Sequence, residues 1–259
     1  MKVVLFCGGM GMRMREYSEA IPKPMVPVGY RPILWNVMKY YAHFGLKDFI
    51  LCIGYKGDTI KNYFLNYNET LSNDFVMKNG GDDIVLANSD IHDWTITFVD
   101  TGLTANIGQR LRAVEPYIEG EEVFLANYSD GLTDFPLSNL TDYYFEQNKM
   151  VSFLAVRPNH SFHIVQMKNG RNGLVDEIQG VVRADLWVNG GYFVLHKDIF
   201  KYMKDGEELV NEPMKRLIQK EQVTAYKYDG FWVGMETFKD KQMLDDMNSR
   251  GDTPWEVWK

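Results

Sequence analysis

Short apolar runs alternate with stretches of helical spacing through the first half of the chain, and this alternation restricts the possible folds more than any other feature. KVVLFC (2–7), FILCIG (49–54), TITFVD (95–100) and EVFLAN (122–127) have strand length and read as buried strands. Between them, PILWNVMKYYAHFG (32–45), TIKNYFLNY (59–67) and IGQRLRAVEPYI (107–118) place apolar residues three and four apart. Strand–helix–strand order predicts an α/β chain with a doubly wound, mostly parallel, Rossmann-like sheet and helices on both faces. Ligands of such sheets bind outside the carboxyl ends of the strands.

The segment from about 68 to 94 is polar and rich in turn residues, and reads as an excursion from the core. The second half changes texture. MVSFLAV, HIVQM, LVDEI, GGYFVL and QVTAYKY are short strands separated by turn signals, followed by helices in ELVNEPMKRLIQK and ETFKDKQMLDDMNS. These strands predict a small β-rich C-terminal elaboration. No Pro/Ser-rich linker or internal repeat divides the chain, so one domain spanning 1–259 is expected.

Composition excludes several classes. The hydrophobic fraction of 45% supplies a large core, and no run approaches the roughly 18 apolar residues of a membrane helix. VVLFC is too short for a signal-peptide core. Cys7 and Cys52 each sit in an apolar strand, which predicts free buried thiols and a reducing cytoplasm. Two Cys and five scattered His show no zinc-ligand spacing. A net charge of −7 without a basic run speaks against nucleic acid as partner.

Behind the first strand come Gly8, Gly9 and Gly11, then Arg13, then Lys23 between Pro22 and Pro24. A backbone without Cβ atoms can turn its N–H groups toward a phosphate, and a following helix adds a favourable dipole. Arg13 and Lys23 supply charge-assisted contacts for a triphosphate, and the prolines stiffen the presentation of Lys23. The dinucleotide pattern G-x-G-x-x-G fails at Met14, and no G-K-S/T follows the loop. A tight turn with two solvated cations is the plainer alternative.

G-G-x-G-x-R with a downstream P-K-P resembles the nucleotidyltransferases that activate sugar 1-phosphates, most of all the glucose 1-phosphate cytidylyltransferases. KPMVPVGYRPILWNVMKYYAHFGLKDFILCIGYKGDTIKNYF, WTITFVDTG, QRLRAV, NGGYFVL, GFWVGMETFKDKQMLDDM and the closing PWEVW extend the resemblance over nearly the whole length. It implies a CTP-dependent cytidylyltransferase acting on a sugar 1-phosphate, with glucose 1-phosphate the first choice. Another phosphorylated acceptor, or a non-catalytic nucleotide-binding regulatory protein, are the alternatives. It also implies a nucleotide half over about 1–135, an acceptor half over about 136–259, and a homo-oligomer.

Residue roles follow from the same resemblance. Arg13 and Lys23 are the catalytic cations, and Phe6, Gly8, Gly9, Gly11 and Met12 surround the nucleotide with them. Met12 stands where the family prefers threonine. Arg110 is either a nucleotide contact or a solvated helix cation. Asp130 is a metal ligand, for Mg²⁺, or a turn-forming Asp-Gly. Glu236 stands where the family has its second metal aspartate, and otherwise reads as a helix-starting acid. On the acceptor side, Asn189 and Gly190 fit sugar contact or an Asn-Gly turn, and Glu212 fits sugar contact or capping. The family's Glu-Lys-Pro lysine is missing from DEIQGVVRADLWVNGG, with Arg183 as its substitute. RPNHSFHIVQM likewise replaces a small, glycine-containing segment.

Overall fold

The computed structural model describes residues 1–9, 21–158, 162–168, 173–181 and 185–259. Seven strands form the main sheet: β1 (Val3–Phe6), β2 (Asp48–Ile53), β3 (Thr95–Asp100), β4 (Val123–Asn127), β5 (Val151–Val156), β6 (Val188–His196) and β7 (Val223–Tyr228). Their spatial order is β7-β5-β6-β4-β1-β2-β3. Only β6 runs against its neighbours. Among the described residues the α-helices are α1 (Ile33–His43), α2 (Gly57–Leu65), α3 (Ile107–Ala113), α4 (Leu137–Gln147), α5 (Glu212–Ile218) and α6 (Phe238–Ser249).

Strand period explains the two layers of helices. Val3, Leu5, Phe49 and Leu51 point to one face, where they meet Ile33, Val37 and Tyr41 of α1 and Leu140 of α4. Val4, Phe6, Ile50 and Cys52 point to the other face, against Leu111 of α3 and Leu217 of α5. Each buried aliphatic side chain of this kind contributes about 2 kcal/mol of transfer free energy, so both faces need cover. Helix α1 ends where Gly45 enters the left-handed region at φ +81°, which lets its N–H close back on Ala42.

The chain walks from β1 to β2 to β3 toward one edge, then returns so that β4 pairs with the free side of β1. This reversal opens a crevice at the carboxyl ends of β1 and β4.

One finding refines the sequence reading. The C-terminal strands are not a separate elaboration: β5, β6 and β7 extend the main sheet, because VSFLAV and GGYFVL are buried on both faces as β1 is. Only the ribbon His163–Met167 with Val175–Gly180 stands apart. The 68–94 excursion carries a second exposed ribbon, Phe75–Lys78 with Asp83–Leu86. Arg31, 2% exposed, ties that excursion to the core by donating to Asn68 O (2.9 Å) and Tyr63 Oη (3.2 Å). Asp90 completes the tie, accepting from Lys39 Nζ at 3.1 Å and Tyr67 Oη at 2.9 Å. Cys7 and Cys52 are buried and free, as expected.

Candidate active site

Beyond Phe6 the chain passes through Cys7 to Gly8 and Gly9 at the carboxyl end of β1. Arg110, on α3, lies buried beneath this turn. Its guanidinium donates to Gly8 O at 3.0 Å, Gly102 O at 3.0 Å and Thr101 Oγ1 at 2.6 Å, so one side chain ties the ends of β1 and β3. A Cβ on Gly8 would stand 2.0 Å from Nη1 of Arg110, and one on Gly54 2.8 Å from the same atom. These glycines are therefore required by the arginine's approach. Burial draws the Arg110 guanidinium below its ordinary pKa, with charge retained at neutral pH. The solvated-cation reading of Arg110 fails: it is a buried brace on the cleft wall.

The end of β4 delivers the carboxylate. Asn127 Oδ1 accepts from Ser129 N at 2.7 Å, and Ser129 Oγ donates to Phe6 O at 2.8 Å. Ser129 is held at φ +65°, a left-handed conformation that turns the chain sharply before Asp130. The short strands Gly131–Thr133 and Trp232–Gly234 then pair antiparallel, and Met235 N donates to Asp130 O at 2.9 Å. That pairing brings Glu236 beside Asp130 from a hundred residues away in sequence. Glu236 does not serve its helix. Thr237 and Asp240 form the capping box of α6, leaving the Glu236 carboxylate on the cleft.

Lys23 meets both acids. It opens a 3₁₀ turn, Lys23–Met25, whose Pro24 and Met25 are buried. Its Nζ lies 2.5 Å from Asp130 Oδ2 and 3.5 Å from Glu236 Oε2. Burial works against the charges of this pair. At the lysine the two carboxylates outweigh it and hold the ammonium above its ordinary pKa, whereas at Asp130 burial outweighs the lysine and pushes the carboxyl up.

Phe6, Gly9, Lys23, Arg110, Asp130 and Glu236 line one cleft of about 440 Å³. The nucleotidyl transferase family model matches residues 2–240 of this chain. The chain belongs to the nucleotidyl transferase family. It is 35% identical over 260 residues, covering 100% of both chains, to the glucose-1-phosphate cytidylyltransferase of Salmonella typhimurium. The same identity and coverage hold for the glucose-1-phosphate cytidylyltransferase of Salmonella typhi. A solved UDP-glucose pyrophosphorylase, complexed with UDP-glucose, shares the fold with a TM-score of 0.70 at 16% identity, over 96% of this chain and 98% of that one.

The donor set of the transferase cleft limits the kind of divalent cation it would take. Two carboxylates already converge on one cation, the Lys23 ammonium, which shows that their oxygens can face a shared charge. No group of three or more His, Cys, Asp or Glu is assembled among the described residues, so no all-protein cage exists there. A cation that takes one or two carboxylates and fills its shell with phosphate oxygens and water suits this donor set.

The acceptor side of the transferase matches expectation less well. Asn189 and Gly190 lie inside β6, not in a turn. Asn189 Nδ2 donates to Tyr128 Oη at 3.1 Å, and Tyr128 lines the cleft. A Cβ on Gly190 would meet Leu154 O and Val156 Cγ1 at 3.1 Å, so the bare Cα serves packing against β5. Glu212 is exposed at the first position of α5 and does not line the cleft; Asn211 holds the cap position. Glu208, four residues earlier, does line it, as do Tyr128, Asn106 and Ile107. Sequence reasoning missed these four. Tyr128 alone carried a signal, two residues before Asp130 at a strand end. Gly11, Met12, Arg13 and Arg183 lie outside the described residues.

Proposed function

We propose that this chain is a cytidylyltransferase that transfers CMP from CTP to a sugar 1-phosphate, with glucose 1-phosphate as the first candidate, and releases pyrophosphate. The observation that carries the reading is the convergence of Lys23, Asp130 and Glu236 on one cleft beside Gly8 and Gly9. Full-length similarity to named glucose-1-phosphate cytidylyltransferases supports the choice of nucleotide and acceptor.

A phosphate oxygen of the acceptor attacks the α-phosphorus of CTP, and the bond from that phosphorus to the pyrophosphate oxygen breaks. The attacking phosphate is already ionised at neutral pH, so the site needs no general base. What it needs is alignment and neutralisation of charge. The N–H groups of the glycine turn face phosphate, with Arg110 fixing the turn from beneath. Lys23, with Arg13 by sequence, balances charge on the triphosphate. Asp130 and Glu236 are the side chains that would hold Mg²⁺, which when bound would draw charge from phosphate oxygens. Residues of about 1–135 form the nucleotide half and about 136–259 the acceptor half, where Asn189, Gly190, Glu212 and Arg183 come into question.

The transferase is further proposed to act in the cytoplasm as a homo-oligomer. Free buried cysteines support the first, and no helix among the described residues is long and apolar enough to cross a membrane. Exposed apolar residues on the 75–86 ribbon, Val76, Met77, Ile84 and Val85, support the second.

Pyrophosphate release, measured with Mg²⁺ for each of the four ribonucleoside triphosphates against a panel of sugar phosphates, tests the reading. CTP with glucose 1-phosphate is the expected productive pair. CTP with a different acceptor would correct the acceptor alone. Bound CTP without release from any pair would overturn the catalytic reading.

A further inference from the structure

The Lys23 ammonium sits where a metal ion held by Asp130 and Glu236 would need to bind. Its Nζ touches Asp130 Oδ2 at 2.5 Å and reaches Glu236 Oε2 at 3.5 Å, so one monovalent cation spans both carboxylates. A divalent cation ligated by an Asp130 oxygen comes within about 2.1 Å of it. We infer that Lys23 is a place-holder: it engages the two carboxylates before a metal binds and is handed to the nucleotide phosphates as the cation enters, so that metal and nucleotide load together. The inference rests on the proposed metal role of Asp130 and Glu236.

Charge makes the exchange cooperative. A divalent cation entering alone brings three positive charges, with the ammonium, against two carboxylates in a largely buried corner. A triphosphate entering alone meets those two carboxylates while their neutralising lysine is already engaged. Together the ligands exchange partners: phosphate takes the ammonium, and the carboxylates take the metal. Each therefore improves the binding of the other, and by linkage the effect is reciprocal.

The local structure confines the exchange to the side chain. Pro22 and Pro24 flank Lys23, Pro24 and Met25 are buried, and Met25 N and Val26 N close the turn on Pro22 O and Lys23 O at 2.8 and 3.1 Å. The backbone is a fixed pivot from which a flexible four-carbon stem swings a compact charge.

Mn²⁺ serves as the probe, with the free ion followed by electron paramagnetic resonance, for the wild type and Lys23→Met, without and with CTP and against a CTP-only baseline. Lys23→Met is expected to bind Mn²⁺ alone at least about tenfold more tightly than the wild type, and to lose most of the further tightening that CTP confers, on the scale of ordinary coupling factors. The difference between the two proteins should persist when KCl is raised, because direct displacement within a buried pair is poorly screened. Equal Mn²⁺ affinities in the absence of CTP, or a difference that vanishes with salt, would overturn the place-holder role and leave the metal reading intact. Absence of Mn²⁺ binding to both proteins, with CTP as well as without, would overturn the metal reading too. Asp130→Asn supplies the second variant and is expected to bind Mn²⁺ in neither condition; retention of full affinity counts against both.

Discussion

A single methyl group decides whether Arg110 can pack against the glycine turn. Gly8→Ala would drive Cβ to 2.0 Å from Arg110 Nη1, and the guanidinium could yield only by giving up its hydrogen bonds to the carbonyls of Gly8 and Gly102. Overpacking of this kind costs about 1–3 kcal/mol. The variant is expected to lower the urea midpoint and to weaken CTP binding by about tenfold or more in a calorimetric titration, a 1.4 kcal/mol effect per decade. Arg110→Met keeps the stem but strands the buried carbonyl of Gly8, at about 1–3 kcal/mol when left unpaired. It should lose stability even without ligand, which a surface arginine would not. At this scale the sequence was partly legible. Gly8, Gly9, Lys23 and Asp130 carried patterns. Arg110 was marked by the resemblance of QRLRAV, but its bracing of the strand ends was not legible, because helical spacing says nothing about which loops a long side chain reaches.

Two short elements place Glu236, and neither has a mark in the sequence. Gly131–Thr133 and Trp232–Gly234 are three residues each, too brief for period-two alternation to register. The capping box at Thr237 sets where α6 begins and thereby where the strand must release Glu236. Thr237→Ala is expected to cost about 1 kcal/mol in urea unfolding and to reduce Mn²⁺ affinity, since the residue next to the cap loses its fixed exit. The strands β1 to β4 were readable because burial on both faces writes a continuous apolar run. The strands β5 to β7 were recognised as strands but assigned to an elaboration. Local sequence does not say that β6 inserts antiparallel between β4 and β5.

The molecule as a whole depends on a buried charge cluster to hold its excursion. The Asp90 carboxyl is pushed up by burial, but donation from Ser72, Tyr67 and Lys39 outweighs this and holds it below the ordinary carboxylate range. A carboxyl depressed in the folded state stabilises above its unfolded pKa and loses that contribution as pH falls through the folded one. Asp90→Asn is therefore expected to destabilise at pH 7, by about 3 kcal/mol for an uncompensated Arg31 and Lys39. The gap to the wild type in urea midpoint should close as the pH is lowered into the acid range. On the outer side, Val76 and Ile84 are half exposed on the ribbon, and replacing both by Asp should convert an oligomer to monomers in light scattering. An unchanged mass would remove this surface from the interface.

The crevice at the reversal of strand order draws Phe6 and Lys23 from the start of the chain, Asp130 from the middle, and Glu236 from beyond the last strand of the sheet. On the ribosome the amino-terminal segments emerge first. The glycine turn, its lysine and the first carboxylate are thus synthesised long before their final partner. For much of translation Lys23 has only Asp130 to answer it, and the nascent chain holds an incomplete pocket. With the site roles proposed above, catalytic competence would wait until Glu236 docks, after both Lys23 and Asp130 have been made.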